Sequence, residues 1–182
     1  MAVMTSLHVP EGGWTVDDLP ELFPESDVRF ELVDGALVVV PPEAPRNGRV
    51  ASRLLVLLVP LLDDGWDVLL GNGVHFDLRN YREPDLFVCR SEAVDAGRVS
   101  ARDVLLAVEV MSPSSVATDR VAKPAQYAAA GIPHYWRIEP DPRLLITHEL
   151  ADGAYRESGR FDDRVEVERP VPMQCRLTDL FD

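Results

Sequence analysis

Two carboxylates stand inside apolar, strand-like runs of this chain: Asp85 in Glu83-Pro-Asp-Leu-Phe-Val88, and Glu109 in Val104-Leu-Leu-Ala-Val-Glu-Val-Met111. An ionised carboxylate within a hydrophobic strand is costly unless it is paired, hydrogen-bonded or bound to a metal. Ten residues after Glu109 comes Asp119, and four beyond that Lys123, the only lysine beside 17 arginines. Two such carboxylates and a singled-out lysine suit a divalent-metal site for phosphodiester chemistry. Hard Mg2+ fits the pair, since it takes one or two carboxylates and keeps several waters, and Mn2+ is expected to substitute. A compact ammonium with three donors suits holding a water or a developing phosphoryl charge.

Each residue also has a plainer reading. Pro84 biases Glu83 toward extended backbone and removes one ladder donor, which puts Asp85 at a sheet end, where it could simply close a turn. Glu109 has no polar face around it, so its plain reading is a buried salt bridge, for example to an arginine. Lys123 could pair with Asp119 at helical spacing, worth about 0.3–0.5 kcal/mol. Pro124 disfavours helical backbone at Lys123 and so places it in the first turn of a helix or the loop before it. Ser112-Pro-Ser-Ser115 lacks a nucleophile-elbow pattern and reads as a helix-entry loop. His75, His134 and His148 sit singly on strands without metal-ligand spacing. The glycines match neither a phosphate loop nor a dinucleotide fingerprint.

The elements that must position these groups follow from the apolar spacing. Thr15 to Leu22 reads as a short helix with Thr15 as N-cap. Arg29 to Val33 and Ala36 to Val40 form a hairpin around Asp34-Gly35. After Pro41, Pro42 and Pro45, a helix carries Val50, Leu54, Leu57, Leu58 and Leu61 on one face. Arg46, Arg49 and Arg53 share another face, expected to be solvated. Strands are expected at Trp66 to Leu70 and Gly73 to Leu78 with the turn at Gly71-Asn-Gly73, then at Pro84 to Cys89 and Val104 to Met111. A helix from about Asp119 to Ala130 is closed by Gly131. Strands at His134 to Ile138 and Leu144 to Leu150 complete the sheet, and Tyr155 to Val167 reads as a peripheral hairpin. The expected class is a mixed α/β sheet flanked by helices, with an N-terminal hairpin. All 182 residues are expected to form one domain, with a core of about 30–150 and a peripheral C-terminal part over 151–182.

Composition bounds the function. Net charge is −13, against the usual basic character of nucleic-acid binders. The excess lies in the flanks. Residues 1–45 hold nine acids and one base, residues 139–182 hold eleven acids and six bases, and residues 46–138 hold eleven of each. The segment bearing Asp85, Glu109 and Lys123 is therefore neutral. The longest apolar run, Leu54 to Leu62, is too short for a bilayer, and Met1 to Pro10 has no signal-peptide pattern. Cys89 and Cys175 read as cytoplasmic thiols.

In these stretches the chain resembles the PD-(D/E)XK nuclease superfamily. More closely it resembles the Uma-type restriction endonucleases, a bacterial family classed as a domain of unknown function. The matching segments are Phe30-Glu-Leu-Val-Asp-Gly-Ala-Leu37, Glu83 to Val88, Val108-Glu-Val-Met-Ser-Pro-Ser-Ser115, Asp119-Arg-Val-Ala-Lys123 with Tyr127, and Ala130-Gly-Ile-Pro-His-Tyr-Trp136. The resemblance implies a restriction-endonuclease-like core, with Asp85 and Glu109 as metal ligands helped by the Val110 carbonyl. Met111 stands where the superfamily's simplest pattern has lysine, so Lys123 is implied as the catalytic lysine. Glu31 is implied as a further carboxylate. Asn47 to Arg49, where similar proteins often carry a histidine, has none, which leaves the first long helix without an expected role.

The expected activity is a Mg2+-dependent endodeoxyribonuclease, acting on DNA as a cytoplasmic homodimer with no membrane partner. The rivals are a non-catalytic assembly module retaining the fold, and a nuclease for RNA or for branched or single-stranded DNA.

Overall fold

The computed structural model describes residues 9–19, 29–40, 42–112 and 121–182. The chain divides into two compact units, one of residues 1–42 and 75–82, the other of residues 43–74 and 83–182.

The first unit is built on a four-stranded sheet, ordered β2-β1-β5-β4. Its strands are β1 (Arg29–Val33), β2 (Ala36–Val40), β4 (Val74–Asp77) and β5 (Asn80–Arg82). The expected hairpin is present, with Val33 paired to Ala36. Asp34 and Gly35 both take positive φ, 50° and 80°, as a tight hairpin turn requires. Arg79 clasps this turn, its Nη2 donating to the Asp34 carbonyl at 2.7 Å. Trp14, Val16, Leu19 and Leu32 form the unit's small core. At the expected N-cap, Asp18 reaches back to accept from the Thr15 amide and hydroxyl at 2.7 and 2.6 Å. Residues 20–22 of that expected helix lie outside the described residues.

The second unit holds a six-stranded sheet, ordered β10-β9-β8-β7-β6-β3. In chain order these are β3 (Trp66–Leu70), β6 (Leu86–Arg90), β7 (Val104–Val110), β8 (His134–Pro140), β9 (Arg143–Ala151) and β10 (Ala154–Phe161). Only the β7–β8 pair is parallel; the other neighbours run antiparallel. A parallel step needs a crossover, and this one contains α3 (Lys123–Ala129). The first long helix, α1 (Pro45–Leu58), buries Val50, Ala51, Leu54 and Leu58. They meet Leu86, Val88, Leu106, Val108 and Val110 in the main core. Because successive strand residues point to opposite faces, Glu109 projects away from that core. It faces α3. The short helices are α2 (Ser91–Asp95) and α4 (Thr178–Phe181).

Three features differ from expectation. The strands on either side of Gly71-Asn-Gly73 exist but belong to different sheets, since β3 pairs with β6, whose residues Leu86 to Cys89 are buried and apolar. Strand β5 was not anticipated, because three residues are too few to show alternation. The C-terminal segment is less peripheral than expected. β10 is the sixth strand of the sheet, and β11 (Arg164–Val167) pairs with β12 (Met173–Arg176). Val165, Val171, Met173, Leu177, Leu180 and Phe181 sit in the main core, spaced among charged residues that mask their pattern.

Candidate active site

Asp85 precedes the first residue of β6, so its backbone lies just off the end of the ladder. Leu86 pairs with Val108, and one further step sets Asp85 opposite Glu109. Directly opposed residues project on the same face. The half-buried Asp85 carboxylate accepts from the Val110 amide through Oδ2 at 2.7 Å. The proline-aspartate sequence thus does what the spacing suggested, delivering a carboxylate to the end of the sheet beside β7.

Glu109 is 1 % exposed. The plain reading of a buried salt bridge is what the structure shows. Lys123 Nζ donates to its Oε2 at 2.8 Å, and the Tyr127 hydroxyl donates to Oε1 in a short hydrogen bond. The partner of the buried glutamate is the lone lysine, in place of the arginine considered above. Lys123 is the first residue of α3 and itself buried, as the following proline foretold. Pro124 occupies the first turn, where a missing amide costs nothing. One helical turn on, Tyr127 shares the same face and is fully buried against Tyr135, with ring centroids 5.8 Å apart. Asp119, the alternative partner of Lys123, lies outside the described residues, as do residues 113–115 of the serine loop.

The structure therefore brings together Asp85, Glu109, Val110 and Lys123. Glu31 is in the first unit, buried in β1, where Arg82 of β5 pairs with its carboxylate. Two residues of the site escaped the sequence reading. Tyr127 was noted without a role, although its spacing from Lys123 is a usable signal. Asn47 was passed over, yet it is buried on the first turn of α1 and its Nδ2 donates to the Val110 carbonyl at 2.9 Å. No local pattern links residues 63 apart in sequence. The basic face of α1 is partly engaged as well: Arg46 donates to the Pro140 carbonyl at 2.9 Å and Arg49 to the Phe181 carbonyl at 3.0 Å.

Other reactive groups are held inert. Burial, reinforced by the charges of Asp67 and Asp103, pushes the Cys89 thiol up to about 12, and burial raises Cys175 as well. Neither is a thiolate nucleophile near neutrality. Burial lowers both His134 and His148, keeping them neutral. Among the described residues, no three His, Cys, Asp or Glu side chains converge as metal ligands. The available donor set is thus two carboxylates and a backbone carbonyl. It is all oxygen, the chemistry that suits a hard cation retaining several waters.

A putative nuclease belonging to DUF820 from Anabaena variabilis has the same fold. The two superpose with a TM-score of 0.70 at 18% identity, over 92% of this chain and 97% of that one. No curated protein matches. Residues 16–179 match the family described as Uma2, putative restriction endonuclease, and the chain belongs to that family.

Proposed function

We propose that this protein is a metal-dependent endodeoxyribonuclease. Asp85, Glu109 and the Val110 carbonyl would hold Mg2+, with Mn2+ as a substitute. The observation that carries the reading is the register that sets Asp85 opposite Glu109 at the ends of paired strands, with the chain's one lysine on the second carboxylate. When bound, the metal supplies Lewis-acid charge and a water of lowered pKa.

The chain's own residues do the rest. Tyr127 fixes the orientation of Glu109, so that its carboxylate is preorganised. Lys123 compensates the buried glutamate. Its ammonium, compact and with three donors, is of the kind that orients a water or stabilises charge developing on a scissile phosphate. Asp85 is oriented by the Val110 amide. Glu31, already paired with Arg82, is assigned no step. DNA is the proposed substrate, and duplex cleavage calls for two sites, hence a homodimer. The unpaired thiols of Cys89 and Cys175 support a cytoplasmic setting.

One observation favours a second reading. Lys123 and Tyr127 satisfy Glu109 without any metal ion, as they would in a non-catalytic assembly module that keeps the fold. Supercoiled plasmid incubated with Mg2+ separates the two. The nuclease reading predicts nicking by the wild type and a loss of at least about 100-fold in Glu109→Ala. Equal behaviour of the two proteins would favour the assembly module.

A further inference from the structure

The Val110 carbonyl is held in an unusual way for the end of a buried strand. Continued two residues past the Leu86–Val108 pair, the β6–β7 register sets Pro84 opposite Val110. The Val110 amide turns toward the β6 side, since it donates to Asp85. The next amide, that of Met111, turns the other way and donates to Ile138 of β8 at 2.8 Å. In an antiparallel pair of this kind, opposed residues exchange both of their backbone hydrogen bonds. The regular donor to the Val110 carbonyl would therefore be the amide of residue 84. That residue is proline and has no amide hydrogen.

A buried carbonyl left without a donor is costly. Here the donor is the Asn47 carboxamide, 2.9 Å from Val110 O and 3.5 Å from Met111 O. Asn47 is only 6 % exposed, and its helix is anchored by Val50, Ala51, Leu54 and Leu58 in the core. The side chain is consequently fixed by packing. A carbonyl oxygen has two lone pairs, and one side-chain donor occupies one of them.

Resting on the metal-site reading above, we propose that Pro84 and Asn47 jointly position the Val110 carbonyl as a cation ligand. Pro84 withholds the ladder donor that would extend β6 across the site. Asn47 supplies a substitute from the helix, which steadies the oxygen and leaves its second lone pair available. Both are positioning residues: they act through Val110. The proline thus has a task of its own, separate from aiming Asp85, and α1 gains the role its sequence did not disclose.

Mn2+ binding followed by electron paramagnetic resonance on the full chain, without nucleic acid, tests this. Asn47→Ala is expected to weaken Mn2+ binding about 10-fold or more, the usual effect of removing a group that orients a metal ligand. Pro84→Ala, which restores an amide opposite Val110, is expected to weaken it too. In the metal-free protein, the carbonyl carbon resonance of Val110 should shift in both variants. Should Asn47→Ala fail to fold, Asn47→Ser and Pro84→Ala carry the same comparison. Lower melting temperatures with wild-type Mn2+ affinity in both variants would mean a structural role only and overturn the proposal. Wild-type Mn2+ affinity in Asn47→Ala and Pro84→Ala together with lost binding in Asp85→Ala would leave the metal site standing while this inference falls. If the wild type itself binds no Mn2+, both fall together.

Discussion

Lys123 and Glu109 form the most consequential contact in the second unit. The pair is almost wholly buried, with side-chain exposures of 11% and 1%, so water screens it little. Removing one partner of such a pair strands the other as an uncompensated charge. Lys123→Ala should therefore lower stability by about 3 kcal/mol in urea denaturation. On the metal-site reading, Mn2+ should restore part of that loss by taking over the neutralisation of Glu109. On the same reading arginine is a poor replacement, since a planar guanidinium fork does not reproduce a compact ammonium. A second prediction at this scale concerns Cys89. Its thiol is buried and raised to about 12, so it should resist iodoacetamide at pH 8 in the native protein and react on unfolding. Rapid native alkylation, read by mass spectrometry, would contradict the placement of β6.

At the scale of elements, the site depends on strand ends held by a helix on each face of one sheet. Leu54 is fully buried where α1 meets β6 and β7, so Leu54→Ala should cost about 2–5 kcal/mol by chemical denaturation. Much of this scaffold was legible in the sequence. The Asp34-Gly35 turn announced its hairpin, the spacing of Val50, Leu54 and Leu58 announced α1, and the apolar run around Glu109 announced β7. Asp85, Glu109 and Lys123 were legible for a related reason: each is a charged residue whose local context demands a partner. What failed to show was pairing at long range. The separation of β3 from β4, the addition of β10 to the main sheet, and the reach of Asn47 to Val110 are tertiary choices without a local periodic signal. The partner of Glu109 was legible only in part. The single lysine beside 17 arginines marked itself for the site, but nothing in the spacing tied its ammonium to Glu109 directly.

For the whole molecule, charge and burial set the behaviour in solution. The net charge of −13 opposes the approach of a polyanion. Salt screens that field, so the proposed DNA encounter should be less weakened by salt than that of a basic binder. The two half-buried histidines add a dependence on pH. Burial is the largest influence on both and lowers His134 and His148 below their usual value of 6.5. The unfolded chain therefore binds more protons between the lowered values and 6.5, and stability must rise with pH across that window. Denaturation midpoints should fall as pH drops from 7 toward 5, with a shallower slope in His148→Gln. A slope unchanged by that substitution would remove His148 from the account.

The central claim is that Asp85, Glu109 and the Val110 carbonyl form one cation site. Anomalous diffraction from crystals grown with Mn2+ tests it most directly. The account predicts a single manganese peak among those three oxygens, with the Lys123 ammonium still beside Glu109. Density showing both carboxylates in their present hydrogen bonds, and no manganese between them at saturating metal, would contradict it.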